Sequence, residues 1–133
     1  MSYDRPNRIK YQVTFDAGNN GNESWAYTGP KGKKGYLYDY GIEGVTEAFT
    51  SGASIAIGTA SDADAYGNEL DLGALAIDYG TFSVRTQYAE HADGFTSLML
   101  DRNLPADTKF VMTVVDDASA GIGTFFVIVD WAD

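Results

Sequence analysis

The single histidine is the first residue whose side chain suggests chemistry. His91 lies between two acids in the segment Glu90-His91-Ala92-Asp93, and an imidazole beside a carboxylate can act as a general base or bind a metal ion. Both roles need partner groups in fixed positions. The sequence has no second histidine, no cysteine and no GxSxG segment. We therefore expect His91 to lie in an exposed loop, and we predict no catalytic residue, no metal site and no cofactor.

The acidic segment 62–71 resembles the start of a calcium-binding loop. An EF-hand loop needs oxygen ligands at positions 1, 3 and 5, glycine at position 6 and a bidentate glutamate at position 12. Counted from Asp62, Gly67 fits the glycine position, but Tyr66 and Gly73 occupy positions 5 and 12. The segment is therefore an irregular cation site, an acidic surface loop or an Asp-capped turn.

The segment 29–35, GPKGKKG, is rich in glycine and lysine but does not fit a phosphate-binding loop. It lacks the GxxxxGK[ST] spacing, contains a proline and does not lead into a helix. We interpret it as a basic loop tip that contacts a partner or is solvated.

Aromatic residues are concentrated between positions 25 and 40. Exposed rings stack on the apolar faces of sugars, whereas alternating tyrosines in a strand commonly pack half-buried on a sheet. Both interpretations stay open at this point, so a carbohydrate-binding module is an alternative function. The residues concerned are Trp25, Tyr27, Tyr36, Tyr38 and Tyr40.

The composition indicates one small, acidic, globular domain. The chain has 133 residues, of which 44% are hydrophobic and 14% aromatic, and its formal charge is −10. A chain of this length can bury one core without disulfides. The negative charge argues against a nucleic-acid partner, because phosphates need a basic face. We also expect no membrane partner and no secretory signal, because no apolar run approaches about 20 residues and Met1–Lys10 has no apolar stretch.

The charge is unevenly distributed along the chain. Residues 1–34 contain six basic and three acidic residues, a net charge of +3, and residues 35–133 carry −13. This pattern indicates either a solvated surface or a positive N-terminal arm that meets an acidic partner. The candidate partner-binding residues are Arg5, Arg8, Lys10, Lys31, Lys33 and Lys34.

The spacing of apolar residues predicts strands and almost no helix. Residues 9–15 alternate apolar and polar, and similar short segments follow between turns rich in Gly, Asn and Asp. We therefore predict an all-β fold, a two-sheet antiparallel β-sandwich that is jelly-roll-like. Residues 1–20 form a basic N-terminal arm that leads into the first strand, and residues 21–133 form one sandwich domain. The predicted strands are 9–15, 25–28, 35–40, 54–58, 81–88, 95–100, 109–115 and 124–131, with a loop over 59–71 and a helical turn among Leu70, Leu72, Leu75 and Ile77.

The last two predicted strands form a hairpin that is apolar on both faces. With almost no helix available, the second face must be covered by loops of the same chain or by another subunit. We expect a homo-oligomer. The predicted interface residues are Phe110, Met112, Val114, Phe126 and Ile128.

Two parts of the chain resemble small virion proteins of tailed bacteriophages. The first is VTEAFTSG at 45–52, which continues through 55–59 into 62–64, and the second is DDASAGIGT followed by the strand 125–131. The ending is similar to that of phage head decoration (cement) proteins and head-fibre modules. The resemblance implies a homotrimeric, jelly-roll-like sandwich, made in the host cytoplasm, that binds the major capsid protein on the outer surface of the capsid. It brings no catalytic residues, so we expect a structural protein rather than an enzyme.

Three alternatives to a decoration protein stay open. One is a tail or fibre module of a virion, and another is the carbohydrate-binding module considered above. The third is a jelly-roll enzyme with metal-binding histidines, against which the single histidine argues, because such sites use several ligands.

Overall fold

The computed structural model describes residues 7–20, 23–50, 53–73, 75, 80–88, 98–115 and 120–132. Within these ranges the chain forms strands of 2 to 14 residues and two helices of one turn, and neither helix is long and apolar enough to cross a membrane. The elements are β1 (Asn7–Asp16), α1 (Ala17–Asn20), β2 (Ser24–Thr28), β3 (Lys34–Glu47), β4 (Ser54–Gly58), β5 (Gly67–Asp71), β6 (Thr81–Ser83), α2 (Val84–Tyr88), β7 (Asn103–Leu104), β8 (Lys109–Val115) and β9 (Ile122–Ala132).

The strands form two antiparallel sheets that pack face to face. One sheet has the order β1-β9-β3-β6, with β7 beside β3, and the other has the order β2-β8-β4-β5. This arrangement is that of a jelly roll, in which distant parts of the chain alternate within each sheet. The predicted all-β, two-sheet antiparallel sandwich is confirmed.

The core lies between the sheets and follows from strand alternation. In β9, the inward side chains of Phe125, Val127, Val129 and Trp131 are all at most 2% exposed. The indole nitrogen of Trp131 donates a hydrogen bond to the hydroxyl oxygen of Tyr11 at 3.0 Å. This bond satisfies the polar atom that the buried ring carries.

Aromatic pairs close the side of the sandwich where β1 and β2 lie. The ring centroids of Tyr11 and Tyr27 are 5.2 Å apart, and those of Phe15 and Trp25 are 5.7 Å apart. Tyr11 also meets Phe110 of the central strand β8 edge to face at 5.0 Å. The first two strands are therefore tied to the core through rings.

Two predicted elements differ in type. The predicted strand 81–88 ends at Ser83, because Ser83 and Thr86 form a reciprocal cap that begins α2. The Ser83 hydroxyl accepts the N–H of Thr86 at 3.2 Å, and the Thr86 hydroxyl accepts the N–H of Ser83 at 2.8 Å. The predicted loop 59–71 contains β5, which pairs with β4 and buries Leu70.

Two further expectations are corrected in part. In the predicted strand 95–100, residues 98–100 contain only a single bridge, from Met99 to Gly67, and 95–97 lie outside the described residues. In the predicted helical turn, Leu70 belongs to β5, and Leu72 and Leu75 are joined by one turn hydrogen bond. Ile77 lies outside the described residues.

The predicted interface residues are covered to different extents by the chain itself. Phe110, Met112 and Val114 lie in the core between the sheets and are at most 1% exposed, and Phe126 is 2% exposed. Ile128 is half-buried on the outer face of β9. The predicted hairpin of β8 and β9 is wrong, because β8 pairs with β2 and β4 in one sheet and β9 pairs with β1 and β3 in the other. The homotrimer itself stays a prediction.

We predict that Gly35→Ala destabilises the fold by about 1–3 kcal/mol, because it overpacks the core. A Cβ at Gly35 would lie 2.7 Å from a ring carbon of Trp131 and 2.9 Å from Val129. Gly123→Ala is the matched control, since its nearest neighbour is the flexible end of Ile42 at 2.9 Å. Urea denaturation of both variants checks this, and an equal loss in both would contradict the role of the indole.

Candidate functional site

Two tyrosines lie on the outer face of β3. Gly35 and Leu37 face the core, so Tyr36 and Tyr38 face outward by alternation. The pairing with β9 shifts register between Leu37 and Asp39, which is the mark of a β-bulge. The bulge places Tyr38 and Asp39 together outside the core, and Tyr36 is 43% exposed.

Three arginines stack on these two rings. The guanidinium carbons of Arg8 and Arg85 lie 3.6 Å and 3.8 Å from the ring centroid of Tyr38. Two guanidinium groups at these distances fit only on opposite faces, so the ring lies between them. Arg102 lies 4.1 Å from the ring centroid of Tyr36. We name this group, together with Asp130, the arginine–tyrosine cluster; its members are Arg8, Tyr36, Tyr38, Arg85, Arg102 and Asp130.

Hydrogen bonds fix the direction of each guanidinium. Arg8 donates from Nε and Nη2 to the two carboxylate oxygens of Asp130 at 2.7 and 2.9 Å, and this bond raises the pKa of Arg8. Arg85 donates from Nε to the carbonyl of Tyr38 at 2.6 Å. Arg102 donates from Nε to the carbonyl of Leu37 at 2.9 Å. The cluster is therefore preorganised, because its side chains are held before any partner arrives.

A buried carboxylate positions α2, which carries Arg85. Oδ1 of Asp39 accepts the N–H of Tyr40 at 2.9 Å and the N–H of Arg85 at 3.0 Å. Asp39 is 6% exposed. Burial raises the pKa of Asp39, and hydrogen bonds from Arg85, Ser83 and Tyr40 oppose that rise. Asp39 thus links the bulge in β3 to the start of α2.

The cluster brings three arginines together on an acidic chain. Arg8 pairs with Asp130, and the backbone N–H of Arg85 bonds to the buried Asp39. Burial lowers the pKa of Arg102, and the nearby charge of Arg85 also lowers it. Three guanidinium groups thus lie on one face of a molecule whose net charge is −10.

The predicted partner-binding residues divide into groups. Arg8 belongs to the cluster, whereas Lys10 lies on the same outer face, bonded to Glu43 at 2.5 Å and 4.9 Å above the ring of Phe126. Both residues are part of β1 rather than of a free arm. Arg5 lies outside the described residues. Three lysines follow β2 or begin β3, of which Lys31 and Lys34 are exposed and Lys33 is half-buried.

Sequence reasoning missed Arg85 and Arg102. Each is far from Tyr36 and Tyr38 in the chain, and the contacts arise only when β3 meets α2 and the segment before β7. The spacing of Ser83 and Thr86 is a local signal for a helix start, and it could have placed Arg85 in the first turn of α2.

The five aromatic residues do not form one platform. Tyr40 is fully buried and donates its hydroxyl to the carbonyl of Asn68. Trp25 and Tyr27 are half-buried and pack on the core, and Tyr38 has a guanidinium on each face. Tyr36 is the only one of these five residues that is exposed.

The acidic segment begins in a turn capped by Thr59 and ends in β5. The N–H of Asp62 bonds the hydroxyl of Thr59 at 3.1 Å, and the N–H of Thr59 bonds the carbonyl of Asp62 at 2.8 Å. The side-chain hydrogen bond with Asp62 raises the pKa of Asp64. Within the described ranges, no group of three or more His, Cys, Asp or Glu side chains could hold a metal. His91 lies outside those ranges.

A shallow groove of about 350 Å³ lies on the outer face of the other sheet. It contains no charged side chain, and small residues form its walls: Ser24, Ala26, Thr59, Ala60, Ala63, Val111 and Thr113. It offers no group that could orient a charged ligand.

No protein-family model matches the chain, and no curated protein or solved structure matches it either.

We predict that Tyr38→Leu lowers the free energy of unfolding by about 1–2 kcal/mol, because it removes two cation–π contacts worth about 0.5–1 kcal/mol each. Tyr38→Phe is the control, since it keeps the ring between Arg8 and Arg85. Urea denaturation measures both. Equal losses in the two variants would show that the stacking contributes nothing.

We predict that Asp39 makes folding less favourable as pH rises. Because its pKa is raised above the ordinary value of 3.8 in the folded state, the folded protein binds this proton more tightly, and stability falls as pH rises from 3.8 through the raised value. Asp39→Asn removes that loss, so the variant gains stability relative to wild type between acid pH and neutrality. Urea denaturation across this interval checks the trend.

The control for this pH series is Asp71→Asn. Asp71 is an exposed carboxylate that accepts the N–H of Gly73, and Asn can accept the same bond. The quantity compared is the difference in free energy of unfolding between wild type and variant. The burial argument is refuted if this difference does not change with pH for Asp39→Asn, or if it changes as much for Asp71→Asn.

Proposed function

We propose that the protein is a structural, non-enzymatic decoration protein, which binds the outer surface of a phage capsid through the arginine–tyrosine cluster and stabilises the head. The support for a phage partner is the resemblance of residues 45–64 and 116–131 to virion proteins. The support for this surface is the cluster itself, with three guanidinium groups stacked on two tyrosines.

The residue types of the cluster suit a protein interface. Tyr and Arg are enriched among the residues that dominate binding energy, because they combine a large apolar surface with directional hydrogen bonds. Stacked Arg–Tyr pairs combine ring surface with directional donors, a combination that suits recognition of planar carboxylates. Tyr36 and Arg102 form the stacked pair with the more exposed tyrosine, since Tyr36 is 43% exposed and Tyr38 is half-buried.

The charge distribution supports an acidic partner and a defined orientation. An acidic capsid surface would repel most of a chain that carries −10 and attract the face that carries Arg8, Arg85 and Arg102. Attraction at one face with repulsion elsewhere gives specificity and a faster encounter. The mechanism is interface burial, with many copies on one head each holding neighbouring capsid subunits together.

A tail or fibre location is the second candidate, because the same basic face would serve attachment there. Negative-stain images of virions labelled through this protein separate the two locations. Label on the head supports the decoration role, and label confined to the tail overturns it.

We predict that Arg102→Ala weakens binding to undecorated heads by about fivefold or more, as expected for an interface residue worth over about 1 kcal/mol. Arg102→Lys keeps the charge but loses the planar stack, so it should give an intermediate loss. Lys31→Ala is the control for charge alone, since Lys31 is exposed on the loop before β3. Co-sedimentation with heads at two salt concentrations measures each affinity.

Two outcomes would contradict this docking surface. One is wild-type affinity for Arg102→Ala and Tyr36→Ala, with both variants shown to be folded by circular dichroism. The other is a loss for Lys31→Ala as large as that for Arg102→Ala. Absence of binding by the wild-type protein to any head or tail preparation would reject the virion role.

A further inference from the structure

β3 has a gap in its strand pairing on the side away from β9. β6 pairs with β3 at residues 41–43, and β7 pairs with it at Gly35 and Tyr36. Because β9 occupies the other side of β3, both short strands lie along this one. In the part of the chain that the structure describes, no strand pairs with residues 37–40 on this side. We name residues 37–40 the β3 gap.

Two arginines fill the β3 gap with side-chain donors. Arg85 follows β6 and donates from Nε to the carbonyl of Tyr38 at 2.6 Å. Arg102 precedes β7 and donates from Nε to the carbonyl of Leu37 at 2.9 Å, and its own carbonyl accepts the N–H of Leu37 at 2.7 Å. Backbone carbonyls without a strand partner need such donors. Both guanidinium groups are therefore anchored to adjacent carbonyls of one strand.

The same two guanidinium groups stack on neighbouring rings. Arg85 lies on Tyr38 and Arg102 lies on Tyr36, and these tyrosines are two residues, or about 7 Å, apart along β3. Arg8 reaches Tyr38 from β1, which lies beyond β9 in the sheet. Arg85 and Arg102 are therefore neighbours on the gap side of the rings, where two like charges stand side by side.

Like charges side by side cost free energy, which an anion between them removes. Burial lowers the pKa of Arg102, and the nearby charge of Arg85 also lowers it. The three guanidinium groups of the cluster and the two carboxylates of Asp130 and Asp39 have a net charge of 3 − 2 = +1 at neutral pH. This charge favours a monoanion, such as a carboxylate, over a phosphate dianion.

We propose that Arg85 and Arg102 form a seat for one carboxylate at the β3 gap. The Nε atoms hold the backbone of β3, and each guanidinium carries two further NH₂ groups at its outer end. The planar fork of a guanidinium matches the two oxygens of a carboxylate. Both arginines also make other contacts within the chain, and the carboxylate adds to them, because one guanidinium has five N–H donors.

The seat gives the proposed attachment surface a defined ligand. On a capsid, it would take the carboxylate of an Asp or Glu side chain, beside the ring of Tyr36, which is 43% exposed. This assignment of the ligand to a capsid rests on the proposed function, whereas binding of a free carboxylate does not.

The first test titrates the isolated protein with sodium acetate at constant ionic strength, with chloride as the balancing anion. Two-dimensional NMR follows the Nε–H signals of the arginines. We expect the signals of Arg85 and Arg102 to shift saturably, with a dissociation constant on the order of 1–10 mM, as for a small ion held by a few charge-assisted hydrogen bonds. The signal of Arg8 should shift less, because Asp130 already pairs with it.

Two variants separate the seat from charge alone. Arg102→Lys keeps the charge but loses the planar fork, so it should weaken acetate binding by about fivefold or more. Lys31→Ala is the matched control, since it removes one positive charge from the exposed loop before β3 and leaves the seat intact. It should bind acetate as the wild type does. Circular dichroism checks that both variants are folded.

The second test asks whether a capsid supplies the carboxylate. Surface carboxyl groups of undecorated heads are converted to amides with a carbodiimide and an amine, and a mock-treated sample is the control. We expect amidated heads to bind the protein about tenfold or more weakly than mock-treated heads, because each seat loses its charged ligand. Co-sedimentation measures both affinities.

Three results would overturn the seat: no saturable shift at Arg85 and Arg102, an equal loss of acetate binding in the two variants, or tighter binding of phosphate than of acetate. Acetate binding without binding to any virion preparation would leave the seat in place and reject the proposed function. Head binding without acetate binding would reject the seat and leave the decoration role in place. Equal binding to amidated and mock-treated heads would reject a capsid carboxylate as the ligand.

Discussion

The position of β9 between β1 and β3 is the constraint on which the rest of the structure depends. Its backbone pairs with β1 over ten positions and with β3 from Lys34 to Glu47. Its inward side chains fill the core, and its outward Asp130 holds Arg8 in place. β9 is thus the central strand of its sheet, because both β1 and the candidate site pack against it.

The candidate site exists because β3 departs from regular geometry between Leu37 and Asp39. The bulge puts Asp39 beside Tyr38 rather than in the core, and Asp39 then accepts the N–H of Arg85 at the start of α2. Burial of a carboxylate costs free energy unless hydrogen bonds offset it. Here two of the bonds that offset this cost come from the backbone N–H groups of Tyr40 and Arg85, so Asp39 also positions the start of the helix that carries Arg85.

The architecture could be predicted from the sequence further than the site could. Period-two alternation in 9–15 and the apolar run in 109–115 locate strands, because burial acts on each strand separately. The same reasoning missed β5, whose residues pair with β4 apart from one bridge between Gly67 and Met99, and it extended the strand at Thr81 across a helix cap. Most of the arginine–tyrosine cluster could not be predicted, since the sequence pattern marked only Arg8, Tyr36 and Tyr38 as candidate binding residues. Arg85 and Arg102 join them through pairings between residues 47 and 65 positions apart.

The uneven charge of the chain has a different meaning in the folded protein. Along the sequence, basic residues concentrate before position 35, but folding joins Arg8 to two arginines from the acidic remainder. The loop lysines are left outside that group. A guanidinium held by a ring and a backbone carbonyl loses little entropy on binding, whereas a solvated lysine must be ordered at the interface. Recognition through the proposed docking surface would therefore use geometry as well as charge, and the net charge of −10 by itself does not show this.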